Sequence, residues 1–226
     1  MRIPDSLKRF PIIEATYNVL CNFGRLNLPT IPPERVVSIF EDIAIPMASP
    51  LSADLDAPSA DFFFLLSLAR TTKPRRILEV GTFRARTTCA LKLNCPDATV
   101  VSYDIAEIAS PYRTRVRKQP GVDLRLGSFA DAGPVLFAEE KYDLIFVDGS
   151  HTFDDALADS RIALQIVSPA GFIVWHDYRR NIPVTHRIRV PEALDRIVAE
   201  KGCAIHHVLG TTCAIYSPTP IAPAAK

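Results

Sequence analysis

Residues 76–93 read RILEVGTFRARTTCALKL. Ile77, Leu78 and Val80 make a short apolar run that closes on Glu79-Val80-Gly81, and the residues from Arg86 to Lys92 read as the start of a helix. The stretch predicts a buried parallel strand, a tight turn and a helix. A helix N-terminus presents N–H groups without intrahelical partners, and a glycine in the turn lets the backbone approach a bound molecule closely. Gly81 therefore marks a candidate nucleotide site, although glycine also serves plain strand-to-helix turns for steric reasons alone.

The same pattern repeats toward the C-terminus. Residues 99–103 (TVVSY) are β-branched and end at Asp104; residues 111–119 read as a polar, basic helix. Residues 122–126 alternate and end at Gly127-Ser128-Phe129, and 142–147 (YDLIFV) form a buried strand closing on Asp148-Gly149-Ser150-His151. Apolar residues at helical spacing over 153–167 lead through Pro169-Ala170-Gly171 to a strand at 172–175, ended by His176-Asp177. Strands alternating with helices predict a parallel sheet with right-handed crossovers. A loop over 179–190 and a helix over 191–200 precede strands at 203–208 and 212–216. Only Leu209-Gly210-Thr211 joins these two, too short for a parallel crossover, so they must pair antiparallel. The expected fold is α/β, a doubly wound, mostly parallel seven-stranded sheet ending in an antiparallel hairpin.

Residues 1–57 differ from the rest. Prolines at 29, 32, 33, 46, 50 and 58 separate two short expected helices, 11–23 and 33–43. Phe10, Tyr17, Leu20, Phe23, Val36, Phe40 and Ile43 need a surface to cover, so this helical extension is expected to pack on the main domain at 58–217, as a cap or simply as core completion. A helix from about 59 to 70 leads into the first strand, and the Pro- and Ala-rich tail at 218–226 is expected to be disordered.

A chain of 226 residues with 48% hydrophobic content supports one sizeable core rather than two domains. A net charge of +1 gives no electrostatic reason to bind nucleic acid, so a small polar or neutral partner is expected. Five cysteines, odd in number and without C-x-x-C spacing, imply a reducing compartment and no zinc centre. Charges and prolines interrupt any leader-like core, and no stretch reaches about 18 uninterrupted apolar residues, so no membrane partner and a cytoplasmic setting are expected. A homo-oligomer is left open.

The polar residues Glu79, Asp104, Ser128, Asp148, His151, His176 and Asp177 fall at or just beyond the carboxyl ends of the expected strands, where doubly wound sheets bind ligands. A single acid at such a point often only caps the next helix. Five strands ending in this way point to a site.

The segments EVGTFRARTT, GSF, FVDGSHTFDDALAD, GFIVWHDY and GTTCAIY, in this order across residues 77–216, resemble the class I S-adenosylmethionine-dependent methyltransferases. The similarity is closer to a branch of small bacterial enzymes related to sugar O-methyltransferases. It does not cover residues 1–57, and it departs at Ala85, where the family usually has a second glycine. The resemblance implies a Rossmann-like fold and methyl transfer from S-adenosylmethionine to an oxygen of a small-molecule acceptor. It places Gly81, Thr82 and Phe83 against the methionine portion, with Glu79 anchoring that loop or the cofactor's ammonium. Asp104 would accept both ribose hydroxyls, Ser128 and Phe129 would edge the adenine, and Asp148 would stand beside the methyl donor. His151 would be the general base, helped by Asp148, since an ordinary imidazole pKa near 6.5 suits that role. A divalent metal would be held by Asp148, His176 and Asp177. His176 stands where the family has a carboxylate, which favours a softer metal than magnesium, or none.

Two rivals share this fold. An NAD-dependent oxidoreductase wants G-x-G-x-x-G, and GTFRAR supplies only the first glycine. A non-catalytic nucleotide-binding protein is the other, since fold does not fix function; Ala85 favours it, and the clustered Asp148, His151, His176 and Asp177 oppose it.

Overall fold

The computed structural model describes residues 26–38, 42–46, 59–136, 141–179 and 188–221. The helix expected at 11–23, most of the loop at 179–190 and the tail beyond 221 lie outside the described residues.

The apolar runs become strands β2 (Arg76–Val80), β3 (Thr99–Asp104), β4 (Val122–Leu126), β5 (Tyr142–Val147) and β6 (Val167–Trp175), all mutually parallel. The C-terminal pair β7 (His206–Val208) and β8 (Ala214–Tyr216) is antiparallel, and β8 also runs antiparallel to β6. These are the seven expected strands. A two-residue strand β1 (Thr30–Ile31) adds an eighth by pairing parallel with β7, giving the order β1-β7-β8-β6-β5-β2-β3-β4. Two residues are too few to show a strand period, so composition could not mark β1.

Helices α1 (Ser59–Thr72) and α2 (Arg86–Asn94) cover one face of the sheet. The other face carries α4 (Phe129–Leu136), α5 (Phe153–Ile166) and α6 (Val190–Lys201), while α3 (Pro111–Val116) packs against α2. Strand side chains divide with period two: Leu78, Val101 and Ile145 join the α5–α6 face, and Ile77, Val100 and Leu144 the α1–α2 face. Both faces are buried, as unbroken apolar strands of a parallel sheet require.

The expected helix at 33–43 is instead one 3₁₀ turn, Pro33–Arg35, and the described residues after it are irregular. Their backbone groups find partners on the helices they cover. Ser38 N–H donates to Thr71 Oγ1 at 2.9 Å, and Asn94 accepts from Ala44 N–H at 3.0 Å and donates to its carbonyl at 2.7 Å. Side chains thus satisfy what a helix would satisfy internally. Val36, Val37 and Ile43 pack into the α1–α2 core, and Ile221 of the expected tail packs there too.

Strand register sets the site. Val80 lies opposite Tyr103 and Val147, and Val147 opposite Trp175. The residues that follow them, Gly81, Asp104, Asp148 and His176, therefore emerge side by side along one edge.

Candidate active site

Gly81 turns the chain out of β2 with φ +97°, and its N–H and that of Thr82 both donate to the Tyr103 carbonyl, at 2.9 and 3.2 Å. A Cβ on Gly81 would stand 2.0 Å from the Asp148 carbonyl oxygen, so only glycine fits between these strand ends. Phe83 and Ala85 also take positive φ, at 42° and 61°, and fully buried Ala85 is the left-handed residue that caps α2. The glycine usual at that position in the resembled family would adopt this conformation freely; alanine holds it at a cost of about 1–2 kcal/mol.

Glu79 supports the loop from below. It is completely buried, and its Oε2 accepts from the Thr88 hydroxyl and, at 2.5 Å, from the Ser102 hydroxyl. Ser102 is in turn 2.6 Å from the Thr82 hydroxyl. Burial pushes the Glu79 carboxyl up to about 7 against the pull of these two hydroxyls. Glu79 does not line the cavity, and its bonds run to α2 and, through Ser102, toward the Thr82 hydroxyl of the loop.

That cavity, of about 660 Å³, opens along the carboxyl edge and is lined by Gly81, Thr82, Phe83, Asp104, Ser128, Phe129, Asp148, His151, His176 and Asp177, among others. All the expected site residues except Glu79 therefore share one space. Asp104 is fixed by two backbone donors, Phe83 N–H at 2.5 Å on Oδ2 and Ala106 N–H at 2.9 Å on Oδ1. Each oxygen keeps a lone pair for a ligand hydroxyl. Phe129 packs edge-on to Tyr103 with centroids 5.6 Å apart, so it is core on one side and cavity wall on the other. Sequence reading passed over Ile105, which is 81% exposed in the cavity wall and offers apolar area for a ligand to cover.

Opposite the loop, acids and imidazoles alternate. His176 Nδ1 lies 3.0 Å from Asp148 Oδ1, and its Nε2 lies 3.2 Å from Oδ2 of Asp61, a buried residue of α1. Asp61 also accepts from Thr212 N–H at 2.6 Å and from the Thr212 hydroxyl at 2.8 Å. His151 Nε2 approaches Asp177 Oδ2 to 2.8 Å and Asp148 Oδ1 to 3.8 Å, as ion pairs outside the alignment of a directed hydrogen bond. Arg179 Nε stands 2.7 Å from Asp177 Oδ1. Burial opposes charge on His176, but Asp148 and Asp61 outweigh it and raise the imidazole to about 10. Asp148, then Asp177, raise His151 to about 9. Burial likewise opposes charge on Asp61, Asp148 and Asp177, yet their partners hold all three below the usual carboxylate range. At neutral pH three carboxylates thus face three cations, which is how charges persist in a poorly solvated site.

In the expected metal set of Asp148, His176 and Asp177, the His176 Nδ1 lies 3.0 Å from Asp148 Oδ1 and 3.7 Å from Asp177 Oδ2. The two ring nitrogens of His176 face the carboxylates of Asp148 and Asp61. Asp148, His151 and Asp177 converge, with one ligand atom each within 4.8 Å of the others. Asp61 was missed because it sits in an apolar helical stretch 115 positions from His176, and no spacing rule joins the two.

A family model described as a methyltransferase domain matches residues 63–178, just over half of the chain. The chain belongs to that methyltransferase family. No curated protein sequence matches this methyltransferase. Solved structures match its fold: the O-methyltransferase from Bacillus cereus in complex with SAH is 20% identical with a TM-score of 0.57, over 72% of this chain and 82% of that one. TomG from Streptomyces achromogenes, an O-methyltransferase involved in tomaymycin synthesis and solved with SAM, is 19% identical at the same TM-score, over 73% and 82%. SAH-bound PaMTH1 from Podospora anserina is 18% identical at TM-score 0.57 over 96% of this chain and 98% of its own, so the likeness to it extends over almost the whole chain.

Proposed function

We propose that this methyltransferase moves a methyl group from S-adenosylmethionine to an oxygen of a small-molecule acceptor in the cavity at the carboxyl edge of the sheet. The observation that carries the reading is that the Gly81 loop, the backbone-fixed Asp104 and the paired His151 line one cavity. The residues fit the cofactor: the close approach of Gly81 to Asp148 leaves bare backbone facing the methionine portion, Asp104 keeps acceptor capacity for two ribose hydroxyls, and Ser128, Phe129 and Ile105 offer a mixed polar and apolar wall to adenine. The structural relatives solved with SAM or SAH support the same cofactor. When bound, S-adenosylmethionine supplies an electrophilic methyl on a sulfonium whose sulfur leaves with the bonding pair as a neutral thioether.

The chain's own residues then have two tasks. The loop and Asp104 position the donor, and His151 takes the acceptor's hydroxyl proton as the new C–O bond forms. Asp177 orients His151, and Asp148 is held in place by His176. A charge balance near zero over the whole chain favours a small acceptor over nucleic acid. Among the described residues no helix is long and apolar enough to cross a membrane, which fits the cytoplasmic setting proposed here.

A second reading rests on the convergence of Asp148, His151 and Asp177. That set would hold a divalent ion, and imidazole with carboxylates suits zinc, iron or nickel; the ion would supply Lewis acidity to the acceptor oxygen. His151 would then be a ligand rather than the base. One experiment addresses both readings: transfer of labelled methyl from S-adenosylmethionine to a panel of hydroxylated small molecules, with and without chelator. His151→Ala should lower transfer by about 10² to 10⁴. Chelator-insensitive transfer supports His151 as base, loss restored by added metal supports the ion, and full activity of His151→Ala removes the residue from both. Absence of transfer from S-adenosylmethionine to any acceptor, with binding of NAD instead, would overturn the function.

A further inference from the structure

The acids around the cavity differ in one respect. Asp104 accepts from two backbone N–H groups, Asp148 meets His176, and Asp177 meets His151 and Arg179. Asp155 accepts from the Ser150 hydroxyl at 2.6 Å and the Thr152 hydroxyl at 2.7 Å. Asp159, one turn further along α5, has no partner among the described residues, although it is only 7% exposed and lines the cavity. Its Oδ2 would stand 3.5 Å from a Cβ on Gly149, which places the carboxyl beneath the Asp148-Gly149-Ser150 turn. Its oxygens are not sealed in the core and open onto the cavity, where a ligand donor can reach them. Burial, with help from the charge of Asp155, raises the Asp159 carboxyl to about 7, as expected for an acid with no cation beside it.

We propose that Asp159 is a further ligand-binding residue whose carboxyl receives an N–H donor of the bound nucleoside cofactor. The inference rests on the S-adenosylmethionine reading and adds to it a contact at the floor of the pocket. The cofactor offers two such donors, the α-ammonium of its amino-acid portion and the 6-amino group of adenine. Both share the chemistry an unpaired carboxyl lacks. Asp155 differs in being exposed to solvent, with both hydroxyls bonded to its Oδ2.

The test is calorimetry on the full chain and on Asp159→Asn and Asp159→Leu, with three probes. S-adenosylhomocysteine carries both donors, 5′-methylthioadenosine lacks the α-ammonium, and S-inosylhomocysteine lacks the 6-amino group. Both variants should bind S-adenosylhomocysteine about tenfold or more weakly, the scale of a hydrogen bond to a charged group. Their melting temperatures without ligand should equal or exceed that of the wild type, because an unpaired buried carboxyl has been removed. If the α-ammonium is the donor, the variants match the wild type with 5′-methylthioadenosine; if the 6-amino group is, they match it with S-inosylhomocysteine. Unchanged affinity for S-adenosylhomocysteine in both variants overturns the proposal while leaving the cofactor reading intact. So does an equal loss toward all three probes, or a lowered melting temperature in both variants, each of which marks a structural role. A wild type that binds none of the probes overturns the cofactor reading and this contact together.

Discussion

Asp61 Oδ2 and His176 Nε2 meet at 3.2 Å, joining the first turns of α1 to the end of β6, with both side chains buried. The same carboxylate holds Thr212, in the turn before β8, so one acid ties three elements together beside the cavity. The other ring nitrogen of His176 positions Asp148. Removing one partner of a buried pair leaves a charge uncompensated, which typically costs about 3–5 kcal/mol. Asp61→Ala should therefore lower unfolding free energy by about that amount in denaturant titration; a cost under about 1 kcal/mol would show that the pair is not intact in solution.

Gly81→Ala should be more damaging than an ordinary glycine substitution. The new methyl would lie 2.0 Å from the Asp148 carbonyl and would also adopt φ +97°. A left-handed alanine alone costs about 1–2 kcal/mol, and the clash forces β2 and β5 apart where the cofactor sits. The expected result is a loss above about 2 kcal/mol in stability together with loss of S-adenosylhomocysteine affinity. Wild-type affinity in this variant would contradict the close approach.

The pH dependence of transfer has a definite direction. His151 is raised to about 9 by Asp148 and Asp177, so in the ligand-free site most of it is protonated at neutral pH. If it acts as the base, kcat/KM should rise from pH 7 toward 9 rather than level off near the ordinary imidazole value of about 6.5. Stability runs the opposite way. The imidazole pKa values of His151 and His176 are raised on folding, so their contribution is fully present below about 6.5 and is lost as pH climbs through about 9 and 10. For Asp61, Asp148 and Asp177, lowered on folding, the contribution is present above the ordinary carboxylate pKa and is lost in acid. A pH–rate profile flat from 7 to 9 would count against His151 as base.

The fold was legible because strand ends in this chain are punctuated. Each apolar run stops at a polar residue or glycine, and the register then places Gly81, Asp104, Asp148 and His176 in one row. What stayed hidden depends on contacts between distant elements. The irregular course after Pro33–Arg35 is set by Thr71 and Asn94, which answer backbone groups that a helix would have used itself. Asp61 reads as the acid of a helix start, and its partner is known only once α1 lies across β6. Asp155 and Asp159, four apart on one helix face, look like a solvated stripe until α5 buries the second of them. The resemblance makes His176 a metal ligand, and the carboxylates beside both of its nitrogens come into view only once α1 and β5 lie next to it.

The most direct test of the account is calorimetric titration of S-adenosylhomocysteine into the wild-type chain and into Asp104→Ala. The carboxylate is fixed by Phe83 and Ala106 N–H groups, so it is preorganised for the ribose and should bind without rearrangement. The predicted result is one site per chain in the wild type and a loss of about 1–3 kcal/mol in the variant, the scale of hydrogen bonds to a charged group. No binding to the wild type, or equal affinity in both proteins, would contradict the assignment of this cavity.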